Sequence, residues 1–335
     1  MTSTHTTADG VTSGDAIVRV QQVTKRFGRF TAVDDVSLDI HRSEVFGLIG
    51  HNGAGKSTLF KMMLGLLAPT QGSISIAGQA VDGAGARAVR RRIGYLPEHL
   101  ALWDNLSGLE TLRFFARLKR IDTSGCAPLL ERVGLSDAGN KPVRAYSKGM
   151  RQRLGFAQAL LGQPQVLFLD EPTTGLDPRA IHFFWDTLAE LRAQGLTIVL
   201  TSHILAELQH RVDRVAVMTN GRVQALGSLP ALRAQFDLPL RVRVQLTAGV
   251  APALVEPWLQ GLPPALAAMP RRQEADCVLF DAPRIHKMLL LQHLLEAHHL
   301  VADVHVQEPS LEDMFFTNPA QTALTDTVPG MQEAA

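Results

Sequence analysis

Residues 50–57 read Gly-His-Asn-Gly-Ala-Gly-Lys-Ser, two glycines bracketing four residues and followed at once by a lysine and a hydroxyl. At this spacing the glycines let the backbone wrap a polyphosphate with its N–H groups turned inward. Lys56 would reach the β- and γ-phosphates, and the Ser57 hydroxyl would take a place on Mg²⁺. The loop follows the apolar run Val45-Phe46-Gly47-Leu48-Ile49 and precedes Thr58-Leu59-Phe60-Lys61-Met62-Met63-Leu64. Strand, turn, then helix is the context in which such a string binds phosphate, because the helix start adds a favourable dipole. The nucleotide-binding set is therefore Gly50, His51, Asn52, Gly53, Ala54, Gly55, Lys56, Ser57 and Thr58. The implied ligand is a nucleoside triphosphate.

A second string, Val166-Leu167-Phe168-Leu169-Asp170-Glu171, is an apolar strand ending in two acids. Beside a phosphate loop, Asp170 is placed to hold Mg²⁺, and Glu171 to polarise the water that attacks the γ-phosphate. Between the two strings lies Tyr146-Ser147-Lys148-Gly149-Met150-Arg151-Gln152, directly before a helical stretch. By itself it is a serine-capped helix start. Downstream come Gly175-Leu176-Asp177 and Thr201-Ser202-His203; a lone histidine at a strand end is most often structural.

These groups need a scaffold, and its pattern is visible. Short apolar runs at 45–49, 166–170, 197–201 and 214–218 suit strands covered on both faces. They alternate with helical stretches to about residue 228, which predicts an α/β domain with a largely parallel sheet, beginning at the alternating Ala16–Val20. LSGLETLRFFARLK, at 106–119, and a helix around 126–133 form an inserted helical arm between the nucleotide strings. After Gly227 the texture changes. Strands are expected at 241–246, 277–280 and 301–306, with helices at 251–260 and 285–296, a small α+β appendix. The polar lead (1–15) and tail (318–335) read as disordered.

Composition narrows the function classes. Lys plus Arg (33) nearly cancel Asp plus Glu (32), which gives no reason to expect nucleic-acid binding. Cys126 and Cys277 sit without metal-ligand spacing, so a disulfide framework is excluded and a reduced compartment fits. No apolar run reaches the ~18–20 residues of a membrane span, so a membrane role would work through a partner chain. His286, His293, His298, His299 and His305 crowd the appendix, but their spacing forms no helical ligand pair, and they read as surface histidines.

Taken together and in this order, the strings resemble those of ATP-binding cassette (ABC) ATPases. Ser147, Lys148, Gly149 and Met150 match the signature loop, usually LSGGQ; Asp177 matches the D-loop and His203 the switch histidine. The resemblance implies a P-loop ABC ATPase domain over residues 16–228, with a mixed sheet core and a helical subdomain at about 98–158. A C-terminal α+β accessory or dimerisation domain would follow at 229–317. It also implies ATP and Mg²⁺ as cofactors, and two ATPs sandwiched head-to-tail in a homodimer. Lys56 and Ser57 of one subunit would then face Ser147 and Gly149 of the other. His203 would touch the γ-phosphate, Asp177 would couple the two sites, and Phe27 would stack on adenine. Two departures stand out. Glu98 occupies the place of the Q-loop glutamine, where it would approach Mg²⁺ but cannot donate a hydrogen bond when ionised; Met150 replaces the signature glutamine. The implied catalytic set is Lys56, Glu98, Glu171 and His203, with Ser57, Asp170 and Glu98 on Mg²⁺.

Narrower strings are His51 where most members have proline, LSGLETLRFFARLK, YSKGMRQRLGFAQALLG, GSLPALRAQFDLPLRVR and QEPSLEDMFF. They look like the ATP-binding subunits of the Nos type, which serve nitrous-oxide reductase maturation. That resemblance implies a multi-spanning permease (NosY-like), a periplasmic partner (NosD-like), a role in copper–sulfur centre assembly, and a peripheral place on the cytoplasmic face of the membrane. The alternative within the family is a drug, antibiotic or lipid exporter. A soluble ABC protein of ribosomes or chromosomes fits less well, because there is one cassette and no room between Lys56 and Asp170 for a long coiled coil.

Overall fold

The computed structural model describes residues 16–203, 208, 211–236, 239–247, 252–274 and 276–308. The expectations for residues 1–15, 309–317 and 318–335 lie outside them. The chain divides into two compact units, Met1–Leu229 and Pro230–Ala335.

The first unit opens with two long strands, β1 (Ala16–Phe27) and β2 (Phe30–His41), paired as a hairpin. Then come β3 (Val45–Ile49), α1 (Lys56–Met63), β4 (Gln71–Ile76), β5 (Gln79–Ala80), α2 (Ala86–Arg92) and β6 (Ile93–Leu96). The helical arm carries α3 (Gly108–Lys119), α4 (Cys126–Arg132) and α5 (Lys148–Leu160). The rest is β7 (Val166–Asp170), α6 (Pro178–Ala193), β8 (Thr197–Ser202), β9 (Arg214–Thr219) and β10 (Arg222–Gly227). Six strands form one sheet in the order β10-β9-β3-β8-β7-β6. All its pairings are parallel except β10 with β9. Its central strands β3 and β8 are buried at every residue, which is why β3 and the Ile198–Leu200 centre of β8 read as apolar runs.

The expectation of a largely parallel sheet is right for that layer and incomplete for the unit. A second sheet, ordered β2-β1-β4-β5, is wholly antiparallel. It shares its core with α1, where Val18, Val20, Val36 and Ile40 meet Leu59, Met62 and Met63. Within that core Phe60 of α1 meets Phe168 of β7 edge-on at 5.3 Å. The helix that follows the phosphate loop is thus braced against the strand that carries the two acids.

The arm begins with a reciprocal cap. Ser107 Oγ accepts from Glu110 N–H, and Glu110 Oε2 accepts from Ser107 N–H at 2.8 Å. α3 then turns Leu112 and Ala116 inward and ends at Arg120 in a left-handed conformation.

In the second unit α7 (Leu229–Phe236) leads into β11 (Leu240–Leu246), α8 (Pro252–Gln260) and α9 (Pro264–Ala267). After these come β12 (Arg271–Gln273), β13 (Cys277–Ala282), α10 (Lys287–Glu296) and β14 (Val301–Gln307). The strands pair antiparallel in the order β12-β13-β11-β14, the ferredoxin-like β-α-β-β-α-β pattern with a short extra helix. Alternation in β11 puts Leu240, Val242, Val244 and Leu246 into the core.

The reading of the appendix histidines as surface groups needs correction at His293. Its side chain is only 19% exposed. The ring stacks on Trp258, with planes 11° apart, so α10 turns it onto α8. Three groups with ligand atoms also gather at the β12–β13 turn: Glu274, Asp276 and Cys277. Both acids are exposed, and the buried Cys277 donates its S–H to Glu274 at 3.2 Å.

Candidate active site

Strand β3 delivers the chain into the loop 50–55, and α1 starts at Lys56 with Gly55 as its cap at φ +101°. No side chain fits at Gly55. The left-handed conformation disfavours one, and an added Cβ would lie 2.5 Å from the Ala32 carbonyl oxygen. Gly50 is as tight, 2.5 Å from the Met218 carbonyl oxygen. The loop is therefore pressed between β2 and β9 by backbone contact alone. Gly55→Ala should weaken ATP binding by about 10- to 100-fold, since it forces a strained backbone to shift; equilibrium nucleotide titration checks it.

A cavity of about 290 Å³ opens on this loop, walled by Phe30, Ala32 and residues 51–58. Of the sequence-derived set Gly50–Thr58, residues 51–58 are thus gathered around one concave surface, and Gly50 does not line it. Lys56 is buried, and its Nζ donates to the carbonyls of Gly50 at 2.5 Å and His51 at 3.3 Å. Burial holds its pKa below the usual lysine range, while the charges of Glu171 and Asp170 act in the opposite direction. The ammonium therefore senses both acids.

The acids sit where β7 ends, with Asp170 in register with Thr201 of the neighbouring parallel strand. Thr201 Oγ1 donates to Asp170 Oδ1 at 2.7 Å and accepts from the Glu171 N–H at 3.0 Å. Glu171 Oε2 lies 2.8 Å from His203 Nδ1. A carboxylate held by an imidazole is arranged to accept a proton from a third group on its open side. Glu98, just beyond β6, is half-exposed and 3.8 Å from His99 Nδ1. Burial pushes the Tyr95 hydroxyl pKa up, and the charges of Asp170 and Glu98 add to it, so both acids act on one ring.

The donor set that would meet Mg²⁺ is all oxygen: the Ser57 hydroxyl and the carboxylates of Asp170 and Glu98. That chemistry suits a hard cation. Asp170 has one oxygen engaged by Thr201 and acceptor capacity to spare.

Ser147 caps α5 by accepting from Met150 N–H at 3.2 Å. The Lys148 side chain passes over Gly175, whose added Cβ would sit 2.8 Å from Lys148 Cε. Asp177 caps α6, with Oδ1 accepting from Ala180 N–H at 2.8 Å. The segments 147–150 and 175–177 therefore pack together, but residues 147–150 are absent from the walls of the cavity at loop 50–55.

Phe27 stands at the end of β1, 49% exposed, with Lys25 Nζ 5.3 Å from its ring centre. Its strand partner Phe30, which sequence reasoning did not single out, is the ring that lines the cavity. Thr201 and Gln152 were likewise missed as individuals. Their hydrogen bonds reach across the fold, and no local pattern announces them.

Residues 33–174 match the family profile described as ABC transporter. Over 314 residues the chain is 38% identical to the daunorubicin resistance ATP-binding protein DrrA3 of Streptomyces coeruleorubidus, covering 90% of this chain and 95% of that protein. The chain is an ABC transporter ATP-binding subunit. It is also 40% identical to the Nod factor export ATP-binding protein I of Ralstonia nicotianae, over 63% of this chain and 67% of that one. A solved ATP-binding subunit of an ABC transporter superposes with a TM-score of 0.61 at 35% identity, over 66% of this chain and 93% of its own. The P-loop ABC fold is thereby established, and with it an ATPase that converts ATP and water to ADP and phosphate. Among the described residues no helix of this ABC subunit is long and apolar enough to cross a membrane.

Proposed function

We propose that this ABC subunit works as a homodimer in which each phosphate loop meets the partner's signature loop across an ATP. The hydrogen bond between Glu171 and His203, beside Asp170, carries the hydrolytic part of the reading. In it, Lys56 and the loop amides hold the β- and γ-phosphates, and Ser57, Asp170 and Glu98 hold Mg²⁺, which supplies charge neutralisation when bound. Glu171 takes a proton from water as its oxygen bonds to the γ-phosphorus and the bond to the ADP oxygen breaks. His203 orients that carboxylate and meets the γ-phosphate. Ser147, Lys148, Gly149 and Met150 would cap the partner's nucleotide from the start of α5. Asp177 would link the two sites, and Phe27 at the hairpin tip would stack on adenine, with Phe30 beside it.

The permease has a candidate seat on the arm. Trp103, Phe114 and Leu118 are exposed there, and Trp103 packs edge-on against Phe114 at 4.8 Å with Phe115 alongside. An aromatic knob in water suits a helix of a membrane partner. Phe114→Glu should leave basal ATP hydrolysis by the purified subunit within about 2-fold of wild type. The same variant should lose the permease on co-purification.

For the cargo, the strings around the phosphate loop, in α3 and α5, and from Gly227 to Arg243 support the NosF type. The chain would then sit on the inner membrane face, driving a NosY-like permease with a NosD-like periplasmic partner in copper–sulfur centre assembly. A second reading, drug or antibiotic export, is favoured by the near full-length likeness to a daunorubicin resistance protein. Tagged Glu171→Gln protein, loaded with ATP and recovered from detergent-solubilised membranes, separates them. A permease with a periplasmic maturation protein supports the first, and a drug-export permease the second. No membrane protein at all would overturn both.

A further inference from the structure

Glu171 has an unusual backbone. At φ +46° it occupies the left-handed region, which a non-glycine residue keeps only where its surroundings hold it there. Two buried side chains from different elements reach the adjoining main chain. From β8, the Thr201 hydroxyl accepts the N–H of Glu171 at 3.0 Å while donating to Asp170 at 2.7 Å. From α5, the Gln152 amide donates to the carbonyl of Pro172 at 3.1 Å. The turn that follows closes through Thr174 N–H to the Glu171 carbonyl at 3.2 Å.

Neither side chain is demanded by the fold alone. The β7–β8 ladder already places the backbone of Thr201, and a valine would satisfy the same buried strand position. The hydroxyl is spent instead on the two acids, and the amide of Gln152 on the residue that follows them. We propose that Thr201 and Gln152 are positioning residues that clamp Glu171 in its left-handed conformation, aiming its carboxylate at His203 and the reacting water. Gln152 belongs to the helix that Ser147 caps, so the clamp also ties the signature helix to the base of the same chain. The inference rests on the reading of Glu171 as the base.

Thr201→Val keeps the shape and removes both hydroxyl bonds, whereas Thr201→Ser keeps the hydroxyl. Phosphate release by the full-length chain is measured across ATP concentrations, beside ATP binding and thermal melting. Thr201→Val should lower kcat by about 10- to 100-fold, the effect of a small misplacement of a reacting group. KM and ATP affinity should stay within about 2-fold, and Thr201→Ser should recover most of the rate. Gln152→Met should lower kcat in the same way. Combined with Thr201→Val it should add little, because both act on one stretch of backbone.

Wild-type kcat in Thr201→Val overturns the clamp. So does a parallel loss of ATP affinity, or of melting temperature that Thr201→Ser does not restore, since either marks a structural role. Multiplicative effects in the double variant overturn the shared clamp between Thr201 and Gln152. A fully active Glu171→Gln instead sinks the base assignment. An inert Glu171→Gln beside a fully active Thr201→Val sinks the clamp and leaves the base standing.

Discussion

Glu171→Gln should lose ATP turnover by about 10²- to 10⁴-fold, the usual contribution of a positioned general base, while ATP binding survives. The geometry sets this apart from a general disruption. Glutamine is the same size, so the fit between β7 and β8 is kept, and the backbone N–H that Thr201 accepts is unchanged. Lys56, the proposed phosphate grip, is held by the carbonyls of Gly50 and His51 and not by Glu171. What disappears is the capacity to take a proton from water. The replacement amide can still meet His203 Nδ1, accepting through its oxygen or donating through its NH₂ as the tautomer requires. The variant should therefore hold ATP and accumulate as a nucleotide-bound dimer, read by size-exclusion chromatography with light scattering. Normal hydrolysis by this protein would remove Glu171 from the base role.

Most of the candidate site could be read before the fold was known because its proposed chemistry is carried by contiguous strings. The phosphate loop, the two acids at the end of β7 and the histidine after β8 each follow a short buried strand, and parallel strands deliver their ends to one edge. The geometry around the two acids was hidden. Thr201 stands in a string noticed for His203, and Gln152 in one noticed for Ser147, but each hydrogen bond spans a distant part of the sequence. Phe30 was missed because a hairpin tip puts two rings close together, and only the fold says which one faces the cavity.

The scaffold was unevenly legible for a similar reason. Strands buried on both faces, such as β3 and the Ile198–Leu200 centre of β8, are short runs of apolar residues. The antiparallel sheet has one exposed face, and its register shifts between Val20 and Val23 and again before Lys25. Those irregularities break the alternation that would reveal a strand beyond Val20. In α10 the helix itself was plain, but the same periodicity could not say that His293 turns inward onto Trp258.

Lys56→Ala should act on the other half of the reaction, weakening ATP binding itself by about 10²-fold or more. A charge-assisted contact to phosphate is worth more than a neutral hydrogen bond, and it is stronger still where water is excluded. Lys56 meets that condition, being 6% exposed. Burial already disfavours its charge, and the two acids partly offset that effect. A triphosphate would add far more negative charge, so binding should raise the lysine pKa back toward its ordinary value. The sign follows directly: ATP affinity contributed by Lys56 is present while the ammonium is charged and falls as pH rises through its lowered pKa. Wild-type protein should thus bind ATP more weakly at alkaline pH, and Lys56→Ala should lose that part of the pH dependence along with the affinity. Isothermal titration of both proteins at several pH values makes the comparison. Equal affinity in the two would place the phosphate grip elsewhere on the loop.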